Sequence, residues 1–430
     1  MMMDSFYNGF PIFYSDSNTY MLSGLELFFP ADRPITYGLF IRIFSFNATS
    51  LWTVIFFQSL ILSFLIFLTV KLLLGEKRFV LYSLIIILFL SFCTGLSWMS
   101  SQIMADIFTS ITLLSLFLIV FGDTKKTTKI LLYFIFCISV SMHLSHVVLF
   151  SCLIVIILFL RNWIIPPPGR KRTIVNLFVL LVLVLSAEFP MRPALDKSKY
   201  VFFMGAMVEQ GIAKQYLDEY CGTDHYMLCP YKDSLPSTCI DFVWSAKSPF
   251  YKIGGWSSEV RDEFSDITYA TLTKPKYIKL HVIASLKATL KQIHTFDIYD
   301  GNGPFTDSTG LVYAPILKYF KPEANSYIRS KQNNWTLKGI DFFISFYKYI
   351  VAANALLLVI LLVLFRSVFT STFKSAVVLF LFTILLSDWD LSTFSCVANR
   401  FGCKVMWLIP FLCTIAVFKL LDRKTVANNK

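Results

Sequence analysis

Two acidic residues stand where chemistry at a membrane surface could occur. Asp16 lies in a polar stretch, residues 15–20, that precedes apolar residues at helical spacing, and Asp106 lies at the start of a long apolar run. A carboxylate at the membrane surface can accept the proton of an attacking hydroxyl. An ionisable group at the end of an apolar span is energetically costly, and it is therefore a candidate for a functional role. The simpler interpretation is that Asp16 caps a helix and that Asp106 complements a helix dipole.

Several basic side chains close to apolar runs could hold a phosphate group. An arginine fork binds phosphate oxygens in pairs, whereas a lysine acts as a point charge. The candidates are Arg33, Lys348, Arg400 and Lys404, together with His143 and His146 in a short polar break. Arg400 is the strongest of them, because it lies between an acidic segment and an apolar run. The alternatives are lysines that reach lipid headgroups and histidines that are only polar turn residues.

The composition sets the class of protein to which these residues belong. Of 430 residues, 56% are hydrophobic, 17% aromatic and 15% charged, and the mean hydropathy is +0.64. A soluble globular protein needs a more polar surface, so we predict an all-α polytopic membrane protein. The formal net charge of +12 fits basic cytoplasmic loops, and no basic tract points to nucleic acid. The sequence also lacks a nucleotide-binding glycine-rich loop and the GxSxG and HExxH motifs.

Apolar runs and basic clusters together predict about nine transmembrane helices. The clear runs are 51–74, 79–99, 102–121, 173–190, 341–365, 374–388 and 403–421. Basic clusters near 71–78, 125–129, 161–172, 366–374 and 419–430 fall on one side of the membrane only if residues 128–160 cross it twice. This arrangement places the C-terminus in the cytoplasm and all of the candidate site residues on the outer face.

The same map divides the chain into four regions. We predict an outer first loop with interfacial helices at 1–50 and an N-terminal transmembrane bundle at 51–190. An extracytoplasmic loop region at 191–338 and C-terminal transmembrane helices at 339–430 follow. The first loop has neither a signal peptide nor a span before it. Its near-neutral charge would allow it to cross the membrane as an N-terminal tail, but we expect instead that an upstream span is missing from this sequence.

The outer cysteines could form disulfides, because outer compartments are oxidising. Cys221 with Cys229, or Cys396 with Cys403, are plausible pairs. The cysteines in apolar runs are interpreted as packing residues. No CxxC motif or zinc-binding spacing of cysteine and histidine is present, so no structural metal is predicted.

Three groups of residues, taken in order, resemble the GT-C superfamily of multispan glycosyltransferases. The first loop carries Asp16, then Tyr20 and the sequence Arg33-Pro34-x-x-Tyr37. The second outer segment carries Met104-Ala105-Asp106-x-Phe108, and the C-terminal region carries Arg400-Phe401 with Pro410 beyond it. The resemblance involves both ends of the chain, and it adds Tyr20 and Tyr37 to the candidate substrate-binding residues.

The resemblance implies that a sugar is transferred on the outer face of the plasma membrane from a polyprenyl-phosphate carrier to a lipid-linked or glycan acceptor. Asp16 would then be the catalytic base, Asp106 would position the acceptor or a divalent cation, and Arg400 would hold the lipid phosphate. Direct displacement would invert the anomeric centre. The chain departs from the family in lacking a span before the first loop. It also has Ser17 where many members have a second acid, which weakens the case for a bound metal.

Other functions fit part of the pattern. An envelope polysaccharide polymerase or ligase also has many spans, a long outer loop and outer arginines. A transporter or lipid flippase would place ionisable residues near the middle of the bilayer, whereas here they cluster at one surface. An acyltransferase would need a buried catalytic histidine, which His143 at an outer turn does not match.

Overall fold

We describe the protein from a computed structural model. The described residues are 1–165, 169–298, 301–337 and 341–428, and for 341–345 and 424–428 the description is limited to the backbone. Helices form the regular structure of these residues, apart from one isolated parallel bridge between Ile12 and Gln102. The prediction of an all-α protein is confirmed.

The first half of the chain forms eleven helices in the described residues. They are α1 Met3–Asn8, α2 Ser17–Glu26, α3 Thr36–Phe44, α4 Leu51–Leu74, α5 Phe79–Cys93, α6 Leu96–Ser101, α7 Ile107–Phe121, α8 Lys126–Val140, α9 Ser145–Phe159, α10 Arg161–Ile164 and α11 Arg170–Ser186. Residues 128–160 thus form two helices with a break at 141–144, as the sequence predicts.

The second half contains the long loop region and the C-terminal helices. The loop region forms α12 Glu188–Glu209, α13 Ile212–Tyr220, α14 Cys239–Trp244, α15 Pro249–Lys252, α16 Ser258–Thr273, α17 Pro275–Ile293, α18 Tyr313–Tyr319 and α19 Ala324–Ile328, with short 3-10 helices at Cys229–Ser234 and Lys321–Glu323. The C-terminal helices are α20 Asp341–Leu364, α21 Ser371–Phe394, α22 Asn399–Met406 and α23 Leu408–Asn428.

Four stretches of the described helices are long and apolar enough to cross a membrane, as expected of a helical membrane protein. They are Leu51–Leu74, Phe346–Leu364, Ser371–Phe394 and Asn399–Arg423. A bent pair, Arg170–Ser186 with Glu188–Glu209, would add a fifth, although its two halves meet at 46°. The remaining apolar helices have 15 residues, a length of about 22 Å at 1.5 Å per residue, which is less than the hydrocarbon core.

Helix α7 lies at the centre of the bundle. Its residues from Ile107 to Val120 are all buried, and it packs against α4, α8, α11, α21 and α22. A helix that is apolar on every side can be buried in this way because it has no face that requires water. The residue that precedes it, Asp106, is therefore carried into the interior of the protein.

The long loop region packs in two directions. Its first part, α12 to α17, encloses a second hydrophobic cluster that includes Met204, Phe242 and Phe264. Its later part contributes Ile316, Tyr327 and neighbouring residues to the main core, alongside residues of the first loop. Only the first part therefore has a core separate from that of the membrane helices.

The structure settles the two cysteine pairs differently. Cys221 and Cys229 form a disulfide, as predicted. The pairing of Cys396 with Cys403 is wrong, since both are free thiols. The reason is the turn into α22, which directs Cys403 into the main core beside Gly95, whereas Cys396 packs against the loop cluster.

Helices α2 and α3 cross at two glycines. A methyl group at Gly24 would overlap the backbone carbonyl of Gly38, and one at Gly38 would meet the backbone of Gly24 and Tyr20. Such an approach is possible only without Cβ atoms. The two glycines thereby set the distance between the segments that carry Asp16 and Arg33.

We predict that Gly24→Ala destabilises the protein by about 1–3 kcal/mol, because the added methyl group forces the two helices apart. Thermal unfolding in detergent measures the change. Gly222→Ala is the matched control, since no atom lies within 4 Å of its added Cβ. Equal unfolding temperatures for the two variants would show that the crossing tolerates the methyl group.

Candidate functional site

A cavity of about 310 Å³ lies between the first loop, the turn before α9, helices α12 and α14, and the segment that joins α21 to α22. One end is polar, and its lining includes Asp16, Tyr20, Asp32, Arg33, His143 and Arg400. The rest of the lining is largely apolar and includes Val148, Leu195, Phe202, Trp244, Leu391 and Phe394. The cavity therefore suits a ligand that has an anionic group and an attached apolar chain.

The carboxylate of Asp16 lies between two arginines at the polar end. Arg400 Nη1 is 2.7 Å from Asp16 Oδ2, and Arg33 Nη2 is 3.3 Å from Asp16 Oδ1. Arg33 also donates to the backbone carbonyl of Asp16 at 3.0 Å and is paired with Asp32. Asp16 precedes α2 but makes no side-chain cap to it, so the capping interpretation does not describe its carboxylate.

These contacts determine the protonation state of Asp16. Burial by itself would raise the pKa of this carboxyl group, but Arg33 and Arg400 outweigh burial and hold the pKa well below its usual range. Asp16 is therefore ionised at neutral pH. It can accept a proton, but it is a weak base for as long as both arginines remain beside it.

Backbone pairing places Asp16 at the cavity. The segment before it runs between two others: Ile12 pairs with the backbone of Ser101 and Ile103 at 2.9 Å, and the side chain of Gln332 bonds both the N–H and the carbonyl of Phe13. The first loop is thus attached to the residues just before α7 and to the end of the long loop region.

Arg400 is oriented by its neighbours at the start of α22. Its guanidinium group lies 4.6 Å from the ring centroid of Tyr14 and 4.9 Å from that of Phe401. The side chain of Gln292 bonds both the N–H and the carbonyl of Ala398 at 2.9–3.0 Å, which secures the turn into the helix. The position of Arg400 therefore depends on α17 as well as on its own helix.

Asp106 and Lys404 form a buried ion pair next to the cavity. Lys404 Nζ is 3.6 Å from Asp106 Oδ1, and the two residues are almost fully inaccessible. Ser110 bonds the carbonyl of Lys404 and accepts from Trp407, which holds α22 against α7. Neither Asp106 nor Lys404 lines the cavity, so neither side chain is placed to contact a ligand there directly.

The two candidate tyrosines lie one behind the other. Tyr20 lines the cavity with the guanidinium group of Arg33 at 4.9 Å from its ring centroid. Tyr37 is fully buried, and its ring packs perpendicular to that of Tyr20 with 4.9 Å between the ring centroids. Its hydroxyl donates to the side-chain oxygen of Gln58. Tyr20 can contact a ligand directly, whereas Tyr37 supports Tyr20.

The histidines and Lys348 occupy three different environments. His143 lines the cavity and bonds the hydroxyl of Ser145 at 2.8 Å. His146 is buried in the core between Thr109 and the carbonyl of Ser139. Lys348 is paired with Asp297 at the surface and does not line the cavity. Of these three predicted phosphate contacts, the structure brings only His143 to the site.

Other residues line the cavity although they were not among the candidates. Asp390 and Lys199 are examples, and Asp388 is fully buried two residues before Asp390. Both acids lie near the end of an otherwise apolar run, and this signal, which singled out Asp106, could have identified them. Lys199 carried no such signal, because it belongs to a charged stretch of the loop region.

The donors at the site do not resemble a metal centre. Among the residues that the structure describes, no three histidine, cysteine, aspartate or glutamate side chains come close enough together to hold a metal ion. The charge of Asp16 is already balanced by two arginines. The residues described at this site therefore do not fit a divalent cation.

The fold and the cavity define an all-helical membrane protein with an amphipathic site whose polar end joins the first loop to the C-terminal helices. No protein-family model, curated protein or solved structure gives a significant match to the chain. The geometry of the site is therefore what bears on its function.

We predict that acid destabilises the protein through His143. Burial and the nearby charges of Lys404, Arg400 and Arg33 keep the pKa of His143 well below its usual range. Below about pH 6.5 His143 therefore binds a proton in the unfolded chain but stays neutral in the folded protein. The free energy of unfolding consequently decreases as pH falls, by up to about 1.4 kcal/mol per pH unit.

The measurement is the free energy of unfolding between pH 7.5 and 5 in detergent, compared with His143→Gln. The variant carries no titrating group at this position, so its stability is expected to fall less steeply with acid. Parallel curves for the two proteins would contradict the prediction.

Proposed function

We propose that the protein is a membrane-embedded glycosyltransferase. In this proposal it moves a sugar from a polyprenyl-phosphate carrier to an acceptor hydroxyl on the outer face of the plasma membrane, in the assembly of a cell-envelope glycan or glycolipid. The observation that carries the proposal is the contact between Asp16 and Arg400 at one end of an amphipathic cavity. An acid for proton transfer and a cation for phosphate are the two groups that this reaction requires.

The shape and polarity of the cavity support a lipid-linked donor. The arginines at the polar end can receive the phosphate oxygens. The apolar wall formed by Leu195, Phe202 and Phe394 can contact the first part of a polyprenyl chain. Since this wall comes partly from the helix α21, which is long enough to span a membrane, a lipid could reach the site while the rest of its chain stays in the bilayer.

In the proposed reaction the acceptor oxygen forms a bond to the anomeric carbon, and the bond from that carbon to the phosphate oxygen breaks. Polyprenyl phosphate leaves with the bonding electron pair, and its charge is received by Arg400 and Arg33. Asp16 takes the proton of the acceptor hydroxyl. Attack opposite the leaving group inverts the anomeric centre.

Donor binding would also make Asp16 a better base. The phosphate and Asp16 compete for the same two guanidinium groups, because Arg400 and Arg33 contact Asp16 directly. A bound phosphate draws positive charge away from the carboxylate and adds a negative charge near it, and both effects raise the pKa of Asp16. The acid would thereby become active only when the donor is present.

The same proposal includes the topology. About nine helices cross the membrane in a GT-C-like arrangement, with the shorter ones in locally thinned bilayer. The C-terminus is cytoplasmic, and the cavity opens on the outer side.

Two alternatives share parts of this site. A transporter or flippase is less well supported, because Asp16, Asp106, His143 and Arg400 lie before, between or at the start of helices rather than at their midpoints. An envelope polysaccharide polymerase or ligase would use the same lipid phosphate site. It differs only in the acceptor, which would be a growing glycan.

We predict that Asp16→Asn lowers sugar transfer by about 100-fold or more, the usual contribution of a positioned base. In the assay, the purified protein is added to a membrane extract together with polyprenyl-phosphate donors that carry a labelled sugar. The rate at which the label appears on acceptors is measured. Asp233→Asn is the control, because this exposed acid pairs with Lys214 and does not line the cavity. Full transfer by Asp16→Asn would exclude Asp16 as the base.

We also predict that Arg400→Gln weakens binding of sugar-free polyprenyl phosphate about 10-fold or more, the value of a charge-assisted hydrogen bond. Stabilisation against heat by increasing lipid concentrations measures this binding. Arg192→Gln is the control, because this exposed arginine lies outside the cavity. Equal stabilisation of the wild type by polyprenol, which has no phosphate, would contradict phosphate recognition.

A further inference from the structure

Two free thiols share the wall of the cavity. Cys239 begins α14 in the loop region, and Cys396 lies in the segment that joins α21 to α22. Cys239 belongs to the loop cluster, and Cys396 packs against the same cluster. The thiols of Cys239 and Cys396 lie close enough to interact directly. The chain thus brings together two cysteines from different regions at a surface that a small molecule can reach.

The surroundings of these thiols favour oxidation. The Cys221–Cys229 disulfide packs against the same loop cluster, so this side of the protein is one on which disulfides form and persist. The other free cysteines are placed differently. Cys403 and Cys413 are buried in the main core, and the rest lie along the apolar helices.

We propose that Cys239 and Cys396 are a redox site that forms a second disulfide across the cavity wall, by exchange with a small disulfide that enters the cavity. Cys396 is the attacking thiol and Cys239 is the resolving thiol. The bond joins the loop cluster to the segment that leads into α22.

The exchange proceeds in two balanced steps. The thiolate of Cys396 attacks one sulfur of the external disulfide and expels the other half as a thiolate, which leaves a mixed disulfide on Cys396. Cys239 then loses its proton and attacks the sulfur of Cys396, and the second half of the reagent leaves as a thiolate. The two protein thiols give up two electrons and two protons, and the external disulfide is reduced to two thiols.

The order of the two thiols follows from their exposure and from a nearby charge. Cys396 is partly exposed at the cavity, whereas Cys239 is buried, so an external disulfide reaches Cys396 first. The interaction with Cys239, together with the charge of Arg400, also lowers the pKa of Cys396, and a thiolate is the attacking species in exchange.

The consequence of such a disulfide concerns Arg400, the candidate phosphate-binding residue. Cys396 lies on the short connection before α22, and Arg400 lies in the first turn of that helix. A disulfide would attach this connection to α14 and would limit how far the apolar wall can separate from the polar end. The redox state of the pair would thereby control the width of the cavity.

The test uses the full chain in detergent after gentle reduction. Glutathione disulfide is added, remaining thiols are alkylated under denaturing conditions, and the peptides are analysed by mass spectrometry without reduction. We expect a peptide pair that links Cys239 to Cys396, absent from Cys239→Ser and from Cys396→Ser and retained in the control Cys403→Ser. Retention of the Cys221–Cys229 link in each variant checks that the fold is intact.

The single variants test the order of reaction. Cys239→Ser should accumulate glutathione on Cys396, at least about 10-fold faster than Cys396→Ser accumulates it on Cys239, because Cys396 is partly exposed and Cys239 is buried. Alkylation of both Cys239 and Cys396 in the oxidised wild type, or a stable glutathione adduct there, would overturn the proposal. Linkage of either cysteine to Cys403 would do the same.

Discussion

The carboxylate of Asp16, a side chain that is 19% exposed, lies between two guanidinium groups that come from opposite ends of the chain. Arg33 belongs to the first loop, close to Asp16 in sequence. Arg400 belongs to α22 and lies 384 positions from Asp16. A charge removed from water in this way needs partners in good geometry, so the first loop, the segment before α7 and the C-terminal helices must keep fixed relative positions. The cavity exists because these three parts meet there.

The same interaction connects the fold to the proposed chemistry. An ion pair that neutralises Asp16 also keeps it a weak base, and the groups that neutralise it are those that suit a phosphate. A site of this kind can couple ligand binding to basicity without any large movement, since only the partner of each arginine changes. The buried pair of Asp106 and Lys404 adds a second fixed charge arrangement directly behind it.

Helix content, the break at 141–144 and the disulfide between Cys221 and Cys229 were all predictable. Each depends on local properties: apolar run length, a short polar interruption, and two cysteines near each other in sequence. The pairing of Cys396 with Cys403 failed for the opposite reason, because the turn into α22 separates residues that are close in the chain. The sequence also did not predict the bend between α11 and α12, because the chain remains helical after the apolar run at 173–190 has ended.

Residue order alone indicates a helical protein that is apolar enough for a membrane. It also identifies Asp16, Arg33 and Arg400, because charge beside apolar runs can be seen along the chain. Which of the candidates share a cavity depends on the tertiary structure. It placed Tyr20 and His143 at the cavity, Tyr37, Asp106 and Lys404 behind it, and His146 and Lys348 elsewhere. The physical reason is that the direction of a side chain depends on how helices distant in sequence pack, and a one-dimensional pattern does not contain that information.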